Sequence, residues 1–390
     1  MCYLCSASKD TKGGQHQDKM KIGLNGRFLL KGRMEGIGWF CHEVIRRMVK
    51  QHQEHEFYIF FDRDFDPEFI FEKNVHGIKI GWPARHPILW YAWFEFALPR
   101  ALKKFEIDLF ISMDGYCSLS TTIPQYLVMH DLAFVHYPEQ LNFWARKYYK
   151  NFVPKFLKKA HHVFAVSNAT KQDIIKQFQI SPEKIEVCYS GVKDNFKKLS
   201  DEEIVQVRNK YTSGNPYFLF VGALHPRKNV HGLIKAFDLF KSLNENAIKL
   251  VIVGRKAWMT NEIEYAYQHA KYKDEIQFLE DIDNEELALI TAAAYAAVAP
   301  SFLEGFGVPA AEALVCGIPV LCSNQFSLPE IAGPGAILFD PNRSESIADA
   351  MLAIVNDKNL QERIDLGFKH KELFSWDKTT EVIGNRIFGK

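Results

Sequence analysis

From Lys21 onward, short apolar runs alternate with segments whose apolar residues recur at helical spacing. The first run, KIGLNGRF, leads into a glycine-containing loop and then into a segment with Phe40, Val44, Ile45 and Met48 on one helical face. This alternation is typical of a parallel sheet that is covered by helices on both faces. The sequence therefore predicts an α/β protein.

The same alternation occurs twice, which predicts two doubly wound domains that face each other across a cleft. A chain of 390 residues exceeds what one hydrophobic core usually organises. The pattern breaks into a polar stretch that ends in SGNP at 213–216. The predicted divisions are a disordered leader at 1–19, a first domain at 20–195, a linker at 196–215, a second domain at 216–372, and a C-terminal helix at 373–390 that packs back on the first domain.

Composition narrows the class of protein. The 48 Lys and Arg residues nearly balance the 47 Asp and Glu residues, so binding to nucleic acid is not expected. The seven cysteines are odd in number and scattered, as in a protein of the reducing cytoplasm. Cys2 and Cys5 lack further ligands at zinc spacing, and no signal peptide or run of about 18 apolar residues is found.

The most informative segment is PSFLEGFGVPAAEALVCGIP at 300–319, which follows an apolar strand and leads into a helix. Glu304 lies on the loop, and Gly305 and Gly307 allow the backbone to approach a ligand closely. The amides of the following helix start provide a seat for an anion. Glu312 lies about one turn into that helix, and carboxylates of this kind suit sugar and ribose hydroxyls.

With seven residues between them, Glu304 and Glu312 resemble the paired glutamates of the retaining glycosyltransferases of family 4, which have the GT-B fold of two Rossmann-like domains. The surrounding segments agree with this resemblance, which covers roughly residues 21 to 388. These segments are GALHPRKN (222–229), VGRKAW (253–258), MHDLAFVHYPE (129–139), VSNATKQDI (166–174) and SLPEIAG (327–333).

The resemblance implies that the second domain binds a nucleotide-diphosphate sugar. Glu304 is then expected to bind hydroxyls of the transferred sugar, and Glu312 the donor ribose. Lys228, helped by Arg227, is expected to neutralise the pyrophosphate, where a fixed cation stabilises charge that grows in the transition state. Some family members place an arginine directly after the glycine of this strand, where this chain has Ala223, so Arg227 or Arg255 is the expected substitute. The sugar and diphosphate are expected to contact backbone amides of Gly305, Phe306, Gly307 and Val308.

The first domain is expected to bind the acceptor and to close over the donor. His130 ends a strand at the cleft edge and matches the family's functional histidine, which is thought to contact the donor sugar and not to act as a nucleophile. Asp131 follows it as a candidate donor-binding residue. Gly36 and Gly38 are expected to let the first loop approach the diphosphate. No DxD motif is suitably placed, so the reaction is expected to need neither a metal nor a cofactor.

Each of these residues also has a structural interpretation. In that interpretation, Glu304 and Glu312 are solvated side chains and Lys228 is a surface charge. His130 is then a structural histidine, and Asp131 is a cap that braces its loop. The basic and aromatic segment FWARKYYKNFVPKFLKK at 143–159 is either a contact with anionic lipid or a core helix with a solvated basic face. The protein is accordingly expected in the cytoplasm, with peripheral contact to the inner face of the membrane as the lipid interpretation.

The leading function is retaining transfer of a hexose to a saccharide or lipid-linked saccharide in cell-surface polysaccharide synthesis. Mannose from GDP-mannose is the first choice, because the second half resembles branches that include mannosyltransferases. Two alternatives stay open, namely a nucleotide-sugar epimerase of the same fold and a catalytically silent nucleotide-sugar-binding subunit. A glycoside hydrolase fits poorly, because its two carboxylates must flank a glycosidic bond.

Overall fold

The computed structural model describes residues 19–244, 246–255 and 261–389. Two parallel sheets form its framework, and their strand orders are β3-β2-β1-β4-β5-β6-β7 and β10-β9-β8-β11-β12-β13. The strands of the first sheet are β1 (Lys21–Asn25), β2 (Glu56–Phe61), β3 (Val75–Lys79), β4 (Leu109–Ser112), β5 (Gln125–Met129), β6 (His162–Ala165) and β7 (Ile185–Val187). Those of the second are β8 (Tyr217–Val221), β9 (Lys249–Val253), β10 (Ile276–Leu279), β11 (Ala296–Ala299), β12 (Val320–Ser323) and β13 (Ile337–Phe339).

Helices connect the parallel strands. In the first half they are α1 (Gly36–Gln51), α2 (Pro87–Ala92), α3 (Leu98–Lys104), α4 (Ala133–His136), α5 (Phe143–Lys159) and α6 (Asn168–Phe178), with a π-helical turn at Trp93–Ala97 between α2 and α3. They continue as α7 (Asp201–Thr212), α8 (Val230–Leu243), α9 (Asn261–His269), α10 (Asn284–Ala292), α11 (Val308–Val315), α12 (Leu328–Ala332), α13 (Ser344–Val355), α14 (Leu360–His370) and α15 (Trp376–Phe388). This architecture confirms the predicted fold class of two doubly wound domains.

Burial explains why the sequence reads as apolar runs rather than as alternating strands. All five residues of β5 are buried, as expected for a strand in a sheet covered on both faces. Helix α1 instead buries one stripe, which includes Phe40, Val44, Ile45 and Met48. Loops follow the carboxyl ends of the strands, and these loops contain most of the candidate site residues.

The segment predicted as a linker contains an ordered helix. Ser200 and Glu203 form a capping box at the start of α7, in which each side chain bonds the other residue's backbone amide. Val207 of α7 is buried in an apolar cluster with Tyr217 and Leu219 of β8. Helix α7 therefore packs on the second domain, within the span 196–215 predicted as linker.

Helix α15 returns to the first domain, on the side of α1. The Trp376 ring lies 5.7 Å from the Phe40 ring, and Arg47 bonds Asp377 at 2.9 Å. The Phe388 ring stacks on His52 at 4.0 Å. The C-terminal helix thus packs on the first domain. Residues 1–18, most of the predicted leader with Cys2 and Cys5, lie outside the described residues.

No helix within the described residues combines the length and apolar character needed to cross a membrane.

Candidate active site

The candidate site lies where the strand order of the second sheet reverses. Strands β8 and β11 are neighbours, β9 and β10 extend to one side, and β12 and β13 extend to the other. Doubly wound sheets bind ligands in the crevice at the carboxyl ends of such a strand pair. The loop after β8 ends in a turn at Pro226–Lys228, and the loop after β11 leads through Glu304 into α11. Fold topology therefore brings these two loops together.

Glu304 is paired with two cations from the β8 loop. Lys228 Nζ donates to Glu304 Oε1 at 2.5 Å, and Arg227 Nη1 lies 3.8 Å from Glu304 Oε2. Ser301 Oγ donates to the same Oε1 at 2.6 Å. Burial raises the pKa of the Glu304 carboxyl, but the charges of Lys228 and Arg227 outweigh it, so the pKa lies below its ordinary value. Glu304 is therefore an ionised acceptor for hydroxyl donors.

The loop after Glu304 has a backbone that only small residues allow. A Cβ on Gly305 would lie 1.6 Å from the carbonyl oxygen of His130, in the opposite domain. Gly307 has φ +99° and precedes α11, and a Cβ there would meet Leu328 at 2.8 Å. Both glycines are thus required by the packing, and Gly305 lies against the His130 backbone of the opposite domain.

The start of α11 has no side-chain cap. Val308 is the first helical residue, Pro309 follows it, and the first turn contains neither a side-chain cap nor an acidic residue. Phe306, by contrast, is buried and turns toward Phe374, 5.4 Å between ring centroids. The Phe306 side chain therefore anchors the loop, and only its backbone is a candidate for ligand contact.

His130 faces this loop from the end of β5. Its Nε2 donates to the Met113 carbonyl oxygen at 2.8 Å, and burial lowers its pKa. His130 is therefore a neutral imidazole whose Nδ1 is left as an acceptor. Asp131 accepts from the Ala133 amide at 2.9 Å, which is the bracing contact of the structural interpretation. A donor contact of Asp131 stays a prediction.

Glu312 is buried in α11 beside a cation from the segment that joins the domains. Burial raises the pKa of the Glu312 carboxyl to about 8, although Lys193 opposes this rise. Lys193 Nζ donates to Asn284 Oδ1 at 2.7 Å and lies 3.9 Å from the centre of the Trp39 ring. Lys193 thus contacts both α1 of the first domain and α10 of the second. Its charge also interacts with the Glu312 carboxyl.

The first loop and Arg255 meet each other across the cleft. Gly36 begins α1 with open space around it, whereas a Cβ on Gly38 would lie 2.8 Å from the Phe28 carbonyl oxygen. Arg255 is paired with Glu35, the residue that precedes α1, and not with Glu304. Residues 256–258 of the VGRKAW segment lie outside the described residues. Of the two proposed substitute cations, the structure therefore places Arg227 beside Glu304.

Several supporting residues were not singled out from the sequence. Ser167 Oγ donates to the Gly305 carbonyl oxygen at 2.6 Å, and Ser327 Oγ lies 2.8 Å from the Glu304 carbonyl oxygen. Together with Ser301 and Lys193, they fix the loop and its charges. The three serines lie inside segments that resemble the family, at 300–319, 166–174 and 327–333, whereas Lys193 lies in none of these segments.

Models of known protein families match both halves of the chain. A family model described as Glycosyltransferase Family 4 matches residues 34–196, and one described as Glycosyl transferases group 1 matches residues 201–367. The O-antigen chain mannosyltransferase B of Escherichia coli is 26% identical over 370 residues, which cover 91% of this chain and 96% of that protein. The O-antigen chain mannosyltransferase RfbU of Salmonella typhimurium is 28% identical over 303 residues, covering 77% and 79% of the two chains.

Solved structures agree on the fold. HepE of Anabaena in complex with UDP and glucose has a TM-score of 0.72 at 18% identity, and the match covers 95% of this chain and all 100% of that one. WaaG, a glycosyltransferase involved in lipopolysaccharide biosynthesis, has a TM-score of 0.72 at 13% identity. The match covers 95% of this chain and 100% of WaaG.

Proposed function

We propose that this chain, which belongs to glycosyltransferase family 4 and has the GT-B fold, transfers mannose from GDP-mannose to a saccharide or lipid-linked saccharide with retention of configuration. Its similarity to two O-antigen mannosyltransferases supports the choice of sugar. The main structural support for this activity is that Glu304 pairs with Lys228 and Arg227 beside the uncapped start of α11. That arrangement offers a carboxylate for sugar hydroxyls and positive charge for a diphosphate.

The proposed roles follow from the charges. The diphosphate takes Lys228 and Arg227 as partners, with the amides from Gly305 to Val308 completing its seat. Glu304 is then released to accept hydrogen bonds from hydroxyls of the mannose. Because these cations are fixed before the reaction, they stabilise the negative charge that grows on the leaving phosphate without reorganising.

The transfer itself needs no nucleophile from the protein. The acceptor hydroxyl attacks the anomeric carbon from the face that the diphosphate leaves, and its proton passes to the departing phosphate. His130 supplies a neutral imidazole close to the Glu304 loop, suited to a hydrogen bond with the sugar. Glu312 binds the ribose hydroxyls. We propose that the reaction is metal-independent, because the fixed cations Lys228 and Arg227 neutralise the negative charge of the diphosphate.

We further propose that the protein contacts anionic lipid at the inner face of the membrane, where a lipid-linked acceptor would lie. The reaction then takes place in the cytoplasm. Helix α5 buries Tyr148 and Phe156, whereas Phe143 and Trp144 at its start are 59% and 52% exposed. The exposed Tyr91 of α2 lies 5.5 Å from the half-buried Phe152 of α5, ring centre to ring centre. One face of α5 therefore packs on the core, and we propose that its exposed face contacts anionic lipid.

Turnover with a panel of UDP, GDP and ADP sugars tests the proposal. We expect transfer to an added saccharide, or slow hydrolysis without it, with GDP-mannose as the preferred donor. An isomerised sugar from donor alone indicates an epimerase. Binding of donor without transfer or hydrolysis across the panel indicates a silent subunit, and either result contradicts the proposal.

A further inference from the structure

A second cluster of buried charges lies at the corresponding place in the first sheet. Strands β1 and β4 are neighbours there, with β2 and β3 to one side and β5 to β7 to the other. Arg27 follows β1, and Asp114 follows β4. This crevice is where a doubly wound sheet binds its ligand, and it belongs to the domain opposite the candidate donor site.

Arg27 and Asp114 face each other without a hydrogen bond. Arg27 Nη1 lies 3.7 Å from Asp114 Oδ2, and the two side chains are 6% and 2% exposed. Arg27 Nε, Arg27 Nη1 and Asp114 Oδ2 have no hydrogen-bond partner among the described residues. Because burying unpaired polar atoms is costly, three such atoms in one place indicate that a further polar group belongs between them.

The surroundings hold both charges in position while leaving these atoms open. Asp114 Oδ1 accepts from Ser112 Oγ at 2.8 Å, and Ser112 Oγ in turn accepts from Asn25 Nδ2 at 3.1 Å. The Arg27 guanidinium lies 5.2 Å from the centre of the Phe94 ring and 5.1 Å from that of Tyr116. One carboxylate oxygen and the plane of the guanidinium are thus fixed, and the other oxygen is free to bind.

The chain over this cluster is a π-helical turn, Trp93–Ala97. Its first two residues, Trp93 and Phe94, both contact the Arg27 guanidinium. Single π-helical turns interrupt helices at a cost and are frequent at functional sites. The turn is therefore a second observation, independent of the unpaired atoms, that points to a binding role.

The cluster is also continuous with the donor side of the cleft. The Met113 carbonyl oxygen, adjacent to Asp114, accepts from His130 Nε2 at 2.8 Å. The His130 carbonyl oxygen packs directly on Gly305. The Arg27 and Asp114 side chains, 6% and 2% exposed, are more deeply buried than that of Glu304, which is 13% exposed.

We propose that Arg27 and Asp114 bind a hydroxyl group of the saccharide acceptor. A hydroxyl oxygen about 2.8 Å from each atom spans their separation, donating to Asp114 Oδ2 and accepting from Arg27 Nη1. A phosphate is repelled by Asp114 and an ammonium group by Arg27, whereas a neutral polyol satisfies both. This inference rests on the proposed function and names the residues that recognise its second substrate.

The test compares Arg27→Lys and Asp114→Asn with the wild-type protein. The acceptor probe is methyl α-D-mannopyranoside, followed by saturation-transfer NMR without donor and by transfer kinetics with GDP-mannose. We expect loss of the NMR effect and a rise in acceptor KM of about tenfold to a hundredfold, the effect of losing a hydrogen bond to a charged group. Affinity for GDP, measured calorimetrically, should stay within about twofold of wild type.

Arg63→Lys is the matched control, because Arg63 pairs with the buried Asp62 in the same domain. A purely structural role predicts that GDP affinity and melting temperature fall together with acceptor binding, and that result overturns the inference. Absence of the NMR effect in wild type, or its persistence in both variants, overturns it as well. Failure of GDP-mannose turnover in wild type instead counts against the proposed function, because the NMR measurement uses no donor.

Discussion

At the scale of single residues, the candidate site depends on an exchange of ionic partners. Glu304 is held ionised by Lys228 and Arg227, and the same cations are the natural partners of a diphosphate. The sequence identified all three residues, because each belongs to a recognisable local segment. It did not show that they pair with one another, since that depends on β8 and β11 being neighbours.

Replacing Lys228 by methionine should remove charge stabilisation from the leaving diphosphate while keeping most of the side-chain volume. We expect kcat for transfer from GDP-mannose to fall about 100-fold to 1000-fold, as for loss of one preorganised electrostatic contact. Release of GDP under steady-state conditions measures the effect. Lys235→Met, on the exposed side of α8, is the control. A Lys228→Met variant within about fivefold of wild type would remove this residue from the proposed machinery.

The pKa of about 8 at Glu312 predicts pH-dependent nucleotide binding. Below that pH the carboxyl carries a proton, and it accepts hydrogen bonds from ribose hydroxyls best once ionised. Affinity for GDP should therefore rise with pH up to about 8, by up to about tenfold per unit, and then level off.

Calorimetric titration of GDP between pH 6 and 9 checks this, with inorganic pyrophosphate as the ribose-free control ligand. The Glu312→Gln variant should lose the difference between the two ligands' pH profiles. Lys193→Met should move the rise to higher pH, because Lys193 opposes the raised pKa. An unchanged GDP profile in Glu312→Gln would show that another group is responsible.

At the scale of elements, one strand, loop and helix unit carries most of the chemistry. Its order from β11 through Glu304 to α11 was predictable, because apolar runs, glycines and Pro309 are local signals. The contacts that position it were not, because Ser167, Ser327 and Lys193 approach from other elements. Nor was the pairing of Arg255 with Glu35, which joins loops of two domains.

Gly305 is the residue at which this element meets the other domain, so Gly305→Ala should obstruct closure. The added Cβ would lie 1.6 Å from the His130 carbonyl oxygen. We expect transfer to fall at least about 100-fold, because misplacing reacting groups by about 1 Å has such an effect. Helical content should be kept and the radius of gyration should rise, as measured by circular dichroism and small-angle scattering.

Gly384→Ala in α15 is the control substitution, because its Cβ would meet His52 only at an ordinary contact distance of 3.5 Å. Wild-type activity and radius of gyration in Gly305→Ala would show that the domains do not need this close approach.

At the scale of the whole molecule, the two domains are tied by more than the cleft. Helix α15 returns from the end of the chain to α1, and α7 lies within the span 196–215. The polar, charged composition around 196–215 led to the prediction of a linker, but Ser200 and Glu203 cap a helix whose apolar stripe packs on the second domain. Composition alone does not distinguish such a surface helix from a linker.

The exposed aromatic start of α5 predicts binding to anionic bilayers. The protein should sediment with vesicles containing about one third phosphatidylglycerol, and binding should weaken with added salt, because several basic residues accompany Phe143 and Trp144. A Phe143→Ser, Trp144→Ser double variant should bind several-fold less. Leu243→Ser, at a 69% exposed position of the other domain, is the control. If the double variant and the Leu243→Ser control bind vesicles equally, the exposed face of α5 contacts solvent and not lipid.

Retaining mannosyl transfer at the Glu304 and Lys228 site can be followed by NMR in wild type and Glu304→Gln, using GDP-mannose with 13C at the anomeric carbon and methyl α-D-mannopyranoside as acceptor. We expect an α-linked mannoside from the α-linked donor in wild type, and almost none in Glu304→Gln. A β-linked product would rule out retention, and equal α-linked product from both proteins would rule out this site.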